Sequence, residues 1–222
     1  EPNPEPPYDP PCIEVSGVPA RGVVHIVSGA PSIASPGAAC TYLELDSQLQ
    51  IYPGGALLCA GQSIGFSGMG TLIQTGGANT SDEFVNLGNG PNAHGTYELR
   101  GDAVLAVWGE DIGFRGTGIF VHSGGTNTLQ QGIRIGHYPG SYGRYELSGA
   151  GELRATWESI GEREGGTGMF IQTGGTNTVM RGMVLGQSRS STGTYELTAG
   201  TLSVHGNLSV GGEGVGSLIL NC

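Results

Sequence analysis

Lysine is absent from the 222 residues: all nine cationic side chains are arginine, and charged residues of either sign make up only 13%. The formal net charge is −10. Such a chain has no basic stripe to neutralise phosphates, so nucleic acid is excluded as an expected partner. It has no attraction to anionic membrane surfaces either, and the same balance disfavours polyuronates and sulfated glycans. No apolar run is long enough to span a bilayer, so membrane insertion is not expected. A Walker-type phosphate loop needs the lysine that is missing. The five histidines (His25, His94, His122, His137, His205) share no metal-ligand spacing, and "GGEGVG" at 211–216 lacks the aspartate of calcium-binding nonapeptides. Neither a metal nor any other cofactor is expected.

What the chain has instead is glycine, 43 residues of it, and an insistent self-match. "GMGTLIQTGGANTS" (68–81), "GTGIFVHSGGTNTL" (116–129) and "GTGMFIQTGGTNTV" (166–179) are three versions of one phrase. "GTYEL" at 95–99 returns as "GRYEL" at 143–147 and "GTYEL" at 193–197, spacings of 48 and 50. Each long unit divides into two similar halves of about 24 residues, both closing on an apolar-x-apolar-Gly step. Within a half, "IFVH", "YELS", "LRAT" and "IRIG" place apolar side chains at every second residue, the period of a strand with one buried face. No window is left for an amphipathic helix. Short strands broken by glycine, repeated at this period, predict an all-β parallel β-helix (β-solenoid) of roughly eight rungs, about 40 Å long at a rung spacing of ~4.8 Å. Three segments are expected: a Pro-rich extended arm (1–11), atypical N-terminal rungs or a cap (12–67), and regular solenoid (68–222) ending in an uncapped strand.

Solenoid stacking makes equivalent residues into ladders. Tyr97, Tyr145 and Tyr195 share one repeat position, Asn79, Asn127 and Asn177 another, and Trp108 is expected to align with Trp157. Such ladders arise from repetition without any ligand. Candidate chemistry is thin. "GQSIG" at 61–65 matches the nucleophile-elbow pattern, but no helix follows, and the slot reads "GEDIG" and "WESIG" in later copies. Glu98, Glu146 and Glu196 form a carboxylate series two rungs apart, expected on the solvent face. A catalytic carboxylate pair needs two different environments, which a regular series does not offer. No catalytic residue is assigned, and the chain is not expected to be an enzyme.

The ends differ from the middle. Six prolines fall in the first eleven residues, and "VGSLILNC" starts another copy of the strand phrase. An apolar strand edge left open is a template for pairing, and a head-to-tail contact that does not close builds a filament. The expected joint comprises Ser217, Leu218, Ile219, Leu220 and Cys222, with Pro6, Pro7, Pro10 and Pro11 of the arm lying across it. Cys12, Cys40, Cys59 and Cys222 allow three full pairings. Either Cys40 joins Cys59 across the first rungs and Cys12 meets Cys222 of a neighbour, or Cys12 pairs with Cys40 and leaves Cys59 and Cys222 for the intersubunit bond.

The phrases "GTGIFVHSGGTNT", "GIRIG", "GTYELTAGTLSV" and "ESIG" resemble the autotransporter-type β-solenoid repeats of secreted and surface-exposed bacterial proteins, over residues 68–222 and more faintly over 40–67. The resemblance implies a stalk, adhesin or envelope material. Four cysteines, low charge and a start without a leader pattern fit a mature extracellular or cell-surface product. The expected function is an extracellular structural protein that assembles with itself, head to tail, through strand edges and a disulfide. The alternative is an adhesin-like fragment that binds glycan or other surface proteins, for which exposed tryptophans would speak.

Overall fold

The computed structural model describes residues 22–221. Cys12, Cys222 and the arm prolines Pro6, Pro7, Pro10 and Pro11 lie outside them. Among the described residues every regular element is a strand, and all the strand pairs are parallel members of one continuous sheet wound into coils. The expected β-solenoid is what the chain forms.

Three columns of inward-facing side chains trace the three faces of the coil. The first runs Ile26, Leu45, Ile64, Leu87, Ile112, Ile135, Ile160, Leu185, Val210. These are the residues of the apolar-x-apolar-Gly step. The coil is 19 residues long for the first two steps and 23 or 25 thereafter. That shortening is why residues before 67 drift from the repeat while staying in the same stack. A second column runs Ile33, Ile51, Gln74, Leu99, His122, Leu147, Gln172, Leu197, Leu220. The third runs Ala38, Leu57, Asn79, Leu105, Asn127, Leu153, Asn177, Leu202.

The recurring glycines have a steric cause. Gly136 turns the chain at φ 69°, in the left-handed region that side chains with a Cβ avoid. The next coil's Gly143 packs onto that corner so closely that a Cβ there would sit 2.0 Å from the Ile112 carbonyl oxygen and 2.4 Å from the Gly136 nitrogen. The same corner and the same close approach repeat on each regular coil, which is the grammar behind the repeated phrase.

The interior is one narrow core, apolar in most positions, with an aromatic spine. Tyr97, Phe120, Tyr145, Phe170 and Tyr195 stack in consecutive coils, ring centroids 4.8, 4.7, 4.8 and 4.5 Å apart and planes within 11° of parallel. All five are fully buried. Parallel in-register strands enforce this geometry, because equivalent side chains sit one strand spacing apart. Leu72 continues the spine below and Leu218 above.

Two of the expected ladders need correction. Asn79, Asn127 and Asn177 share a column but are not neighbours in it: Leu105 and Leu153 stand between them. Trp108 and Trp157 do not align at all. Trp157 pairs with Gly132 and Gly182, in the column that holds Phe84 and Gly109, while Trp108 precedes that column by one residue and points elsewhere. Both indoles lie on the outer surface, at the corner between the inward-facing Val107 and Glu110 in one coil and Ala155 and Glu158 in the other, where two consecutive residues face outward.

Candidate functional site

The asparagines and tyrosines meet in three buried polar cells, each spanning three consecutive coils. In the first, Gln62 and Asn79 exchange a pair of amide hydrogen bonds: Gln62 Nε2 donates to Asn79 Oδ1 at 2.6 Å and Asn79 Nδ2 to Gln62 Oε1 at 3.0 Å. Asn79 Nδ2 also donates to the Tyr97 hydroxyl at 3.0 Å, which donates to Gln74 Oε1 at 2.6 Å. The third cell repeats it with Asn177, Tyr195 and Gln172, and the Tyr195 hydroxyl donates to Gln172 Oε1 at 2.6 Å. The second replaces the glutamine by His122, whose Nε2 lies 3.1 Å from the Gly125 carbonyl and whose Nδ1 lies 2.8 Å from the Tyr145 hydroxyl. Donation from Nε2–H to the carbonyl leaves Nδ1 free to accept the tyrosine proton. Burial lowers His122 to about 4, so the ring is neutral.

The position of Gln62 is taken by Glu110 in the second cell and Glu158 in the third, each 1% exposed. Burial pushes both carboxyls up to about 8, against the lowering effect of the asparagine bonds. These acids escaped the sequence reading, which followed Glu98, Glu146 and Glu196. That series does face outward, with Val121 and Ile171 between its members, and Glu98 and Glu146 pair with Arg100 and Arg144. The signal for the buried pair was present. In "GIRIG" the apolar-x-apolar-Gly step has isoleucine at the position that "GEDIG" gives to Glu110 and "ESIG" to Glu158.

On the outer surface a second cluster joins four coils. Arg134 lies between the Phe84 and Trp157 rings, 4.8 and 5.1 Å from their centroids. Its guanidinium pairs with Asp111 at 3.0 Å and Glu162 at 3.1 Å. His137 sits between the same two carboxylates, 3.3 Å from Asp111 and 3.6 Å from Glu162, and accepts from Arg163 Nε at 3.1 Å. Burial raises the Glu162 carboxyl against the pull of His137 and Arg134. Gly109 and Gly132 leave room for the flanking rings: a Cβ on Gly109 would meet the Phe84 ring at 2.5 Å, and one on Gly132 would meet the Trp157 ring at 2.4 Å. The cations and anions of this cluster are partnered within it, which makes it a staple across the coils. An open groove of about 450 Å³ runs beside it, along Trp157, Glu162, Arg181, Gln187 and Asn207.

The remaining expected site residues fall as follows. Cys40 and Cys59, partners across adjacent coils, form a disulfide, which removes the pairing of Cys12 with Cys40. Ser217, Leu218, Ile219 and Leu220 belong to the strand Val215–Leu220 and pair on one side with Thr194, Tyr195, Glu196 and Leu197. Trp108 is 38% exposed and Trp157 half-buried, in different columns, so they do not form a shared flat platform. Among the described residues no group of three or more His, Cys, Asp or Glu side chains is arranged to hold a metal ion.

Comparison with known proteins finds no matching family model, no matching curated protein and no matching solved structure. What the chain's own geometry establishes is its architecture, a parallel β-solenoid with alternating polar and apolar coils.

Proposed function

We propose that this chain is a rod segment of an extracellular or cell-surface structural assembly, extended head to tail by parallel strand addition. The observation that carries the reading is the last described coil. Asn207–Val210 and Val215–Leu220 keep the register of every coil beneath them, yet expose Leu208, Val210 and Leu220, the residues that continue core columns. A further coil in the same register would bury them, at ~25 cal/mol per Å² of apolar surface covered. Parallel coils stack in one direction, so among the described residues the surface that fits this end is that of the first described coil of a like rod, around Val23–Ile26. The disulfide between Cys40 and Cys59 favours an oxidising compartment. The autotransporter-like phrases, whose family is one of stalks and envelope material, point the same way. Glycan binding has less support, because the two indoles diverge and Arg134 covers one face of Trp157.

Negative-stain electron microscopy at rising protein concentration tests the reading. Filaments with an axial repeat near one rod length, about 40 Å for eight steps of ~4.8 Å, are expected, and Leu208→Arg should abolish them without unfolding the rod. Monomers at every concentration would overturn it, as would filaments that Leu208→Arg leaves intact.

A further inference from the structure

The three polar cells share their backbone columns and differ in one group, and that difference assigns a protonation state. Where Gln62 stands, both bonds of the ring with Asn79 are made. Where Glu110 stands, only one is: Asn127 Nδ2 donates to Glu110 Oε1 at 2.9 Å, while Glu110 Oε2 and Asn127 Oδ1 are buried and lack a partner. Glu158 and Asn177 repeat the defect, with a bond at 3.2 Å and with Glu158 Oε1 and Asn177 Oδ1 unpartnered. Two orphaned acceptors in one cell, twice over, are what a carboxylate would leave and what a carboxylic acid would resolve. Its O–H occupies the place of the Gln62 N–H and donates to the asparagine carbonyl oxygen. Leaving such groups unpaired in the interior carries a free-energy cost that native cores avoid.

We infer that Glu110 and Glu158 are neutral carboxylic acids in the folded rod, each donating its proton to the side-chain carbonyl of Asn127 or Asn177, and that these two protons make the middle coils alkali-labile. The surroundings fit. Glu110 is stacked between Val85 and Ile133, and Glu158 between Ile133 and Met183. The ionisable groups that face Glu110 are the Tyr97 and Tyr145 hydroxyls and the neutral His122 bonded to Tyr145, with the Asp111 carboxylate next along its own strand. Those that face Glu158 are Tyr145 and Tyr195. Among the described residues no arginine is buried, and Arg134, on the neighbouring strand, is held outside by Asp111 and Glu162. Among the described residues nothing positive is in place to stabilise either acid as an anion.

The sign follows from linkage. A carboxyl whose pKa is raised to about 8 on folding, from an ordinary value of 4.5, stabilises the fold fully below about pH 4.5 and loses that contribution as pH rises to 8. Each group lowers the folding equilibrium constant about tenfold per pH unit inside that window. His122, lowered from 6.5 to about 4, acts in the opposite direction between those two values. From pH 6.5 towards 8 the two glutamates therefore act unopposed by it, and together give roughly a hundredfold loss per unit.

The test compares the full chain with the double variant Glu110→Gln, Glu158→Gln, which copies the Gln62 cell. Chemical unfolding from pH 6.5 to 8 should show the steep loss in the wild type and its disappearance in the variant. Infrared spectra of the wild type at pH 6.5 should contain the carbonyl stretch of protonated carboxylic acids, absent from the variant. Should the variant fail to fold, the wild-type spectrum decides alone. No protonated-acid band at pH 6.5, or an equal loss in both proteins, would overturn the inference.

Discussion

Replacing Tyr145 by phenylalanine removes one oxygen atom and nothing else from the middle of the rod. The ring keeps its stack between Phe120 and Phe170, at 4.7 and 4.8 Å, so the change isolates the polar cell. Asn127 Nδ2, 3.3 Å from the lost hydroxyl, still has Glu110 Oε1 at 2.9 Å. His122 has no such second partner: its Nε2 is committed to Gly125 and its Nδ1 loses the only donor that reaches it. A buried acceptor left unpaired costs about 1–3 kcal/mol. The reverse change, Phe120→Tyr, adds the oxygen one coil lower. By the register of the stack its hydroxyl would face Leu99 and Leu105, which hold the places of His122 and Asn127. A hydroxyl buried without a partner again costs about 1–3 kcal/mol. Both single-atom swaps should thus destabilise, although they move the polarity of the core in opposite directions. Urea unfolding at fixed pH, with slopes checked for equality, reads both. If either variant lies within about 0.5 kcal/mol of the wild type, the alternation of polar and apolar coils does not have the energetic role assigned to it.

Two further outcomes follow from the coil geometry. Gly143→Ala should destabilise by more than about 2 kcal/mol, because its Cβ meets main-chain atoms that cannot step aside; circular dichroism melts with unchanged midpoint would contradict the close-approach argument. Reducing the Cys40–Cys59 disulfide, which closes a loop over a sequence separation of 19, should cost about 3 kcal/mol. Hydrogen exchange should place the loss in the short coils from Ile26 to Ile64, and uniform loosening of the whole rod would refute a local role.

The fold was legible because a solenoid writes its architecture locally. Alternation in "GTYEL" marks which side chains enter the core, and the fixed spacing between copies marks which ones stack. The aromatic spine was half visible: the tyrosines were seen to repeat, but their interleaving with Phe120 and Phe170 into one column needs the half-unit register that strand pairing provides. The tryptophans misled because both precede a Glu-rich step, whereas counting from Leu105 and Leu153 sets them one residue apart. The buried acids were hidden by expectation. A glutamate is almost never fully buried unless paired, so Glu110 and Glu158 were not singled out although their place in the step is an inward one. The staple around Arg134 was not legible at all, since Phe84, Asp111, His137, Trp157 and Glu162 meet only when four coils are laid side by side.

The length of the repeat then has a physical explanation. Stacking alone would be satisfied by a unit of one coil, yet the sequence repeats best over two. A polar cell draws its tyrosine from one coil, its asparagine and glutamine or histidine from the coil below, and its glutamine or glutamate from the coil below that. Leucine fills the matching positions of the intervening coil, Leu99 and Leu147 in one column, Leu105 and Leu153 in another. Ile133 separates Glu110 from Glu158, which places the two acids roughly 9–10 Å apart at two strand spacings. Were every coil polar, those acids would stand one spacing apart, and the second proton release would work against the charge of the first across a low-dielectric gap. The two-coil period therefore lets a narrow core hold a fully bonded polar network at intervals, with an apolar coil as insulator between each acid and the next.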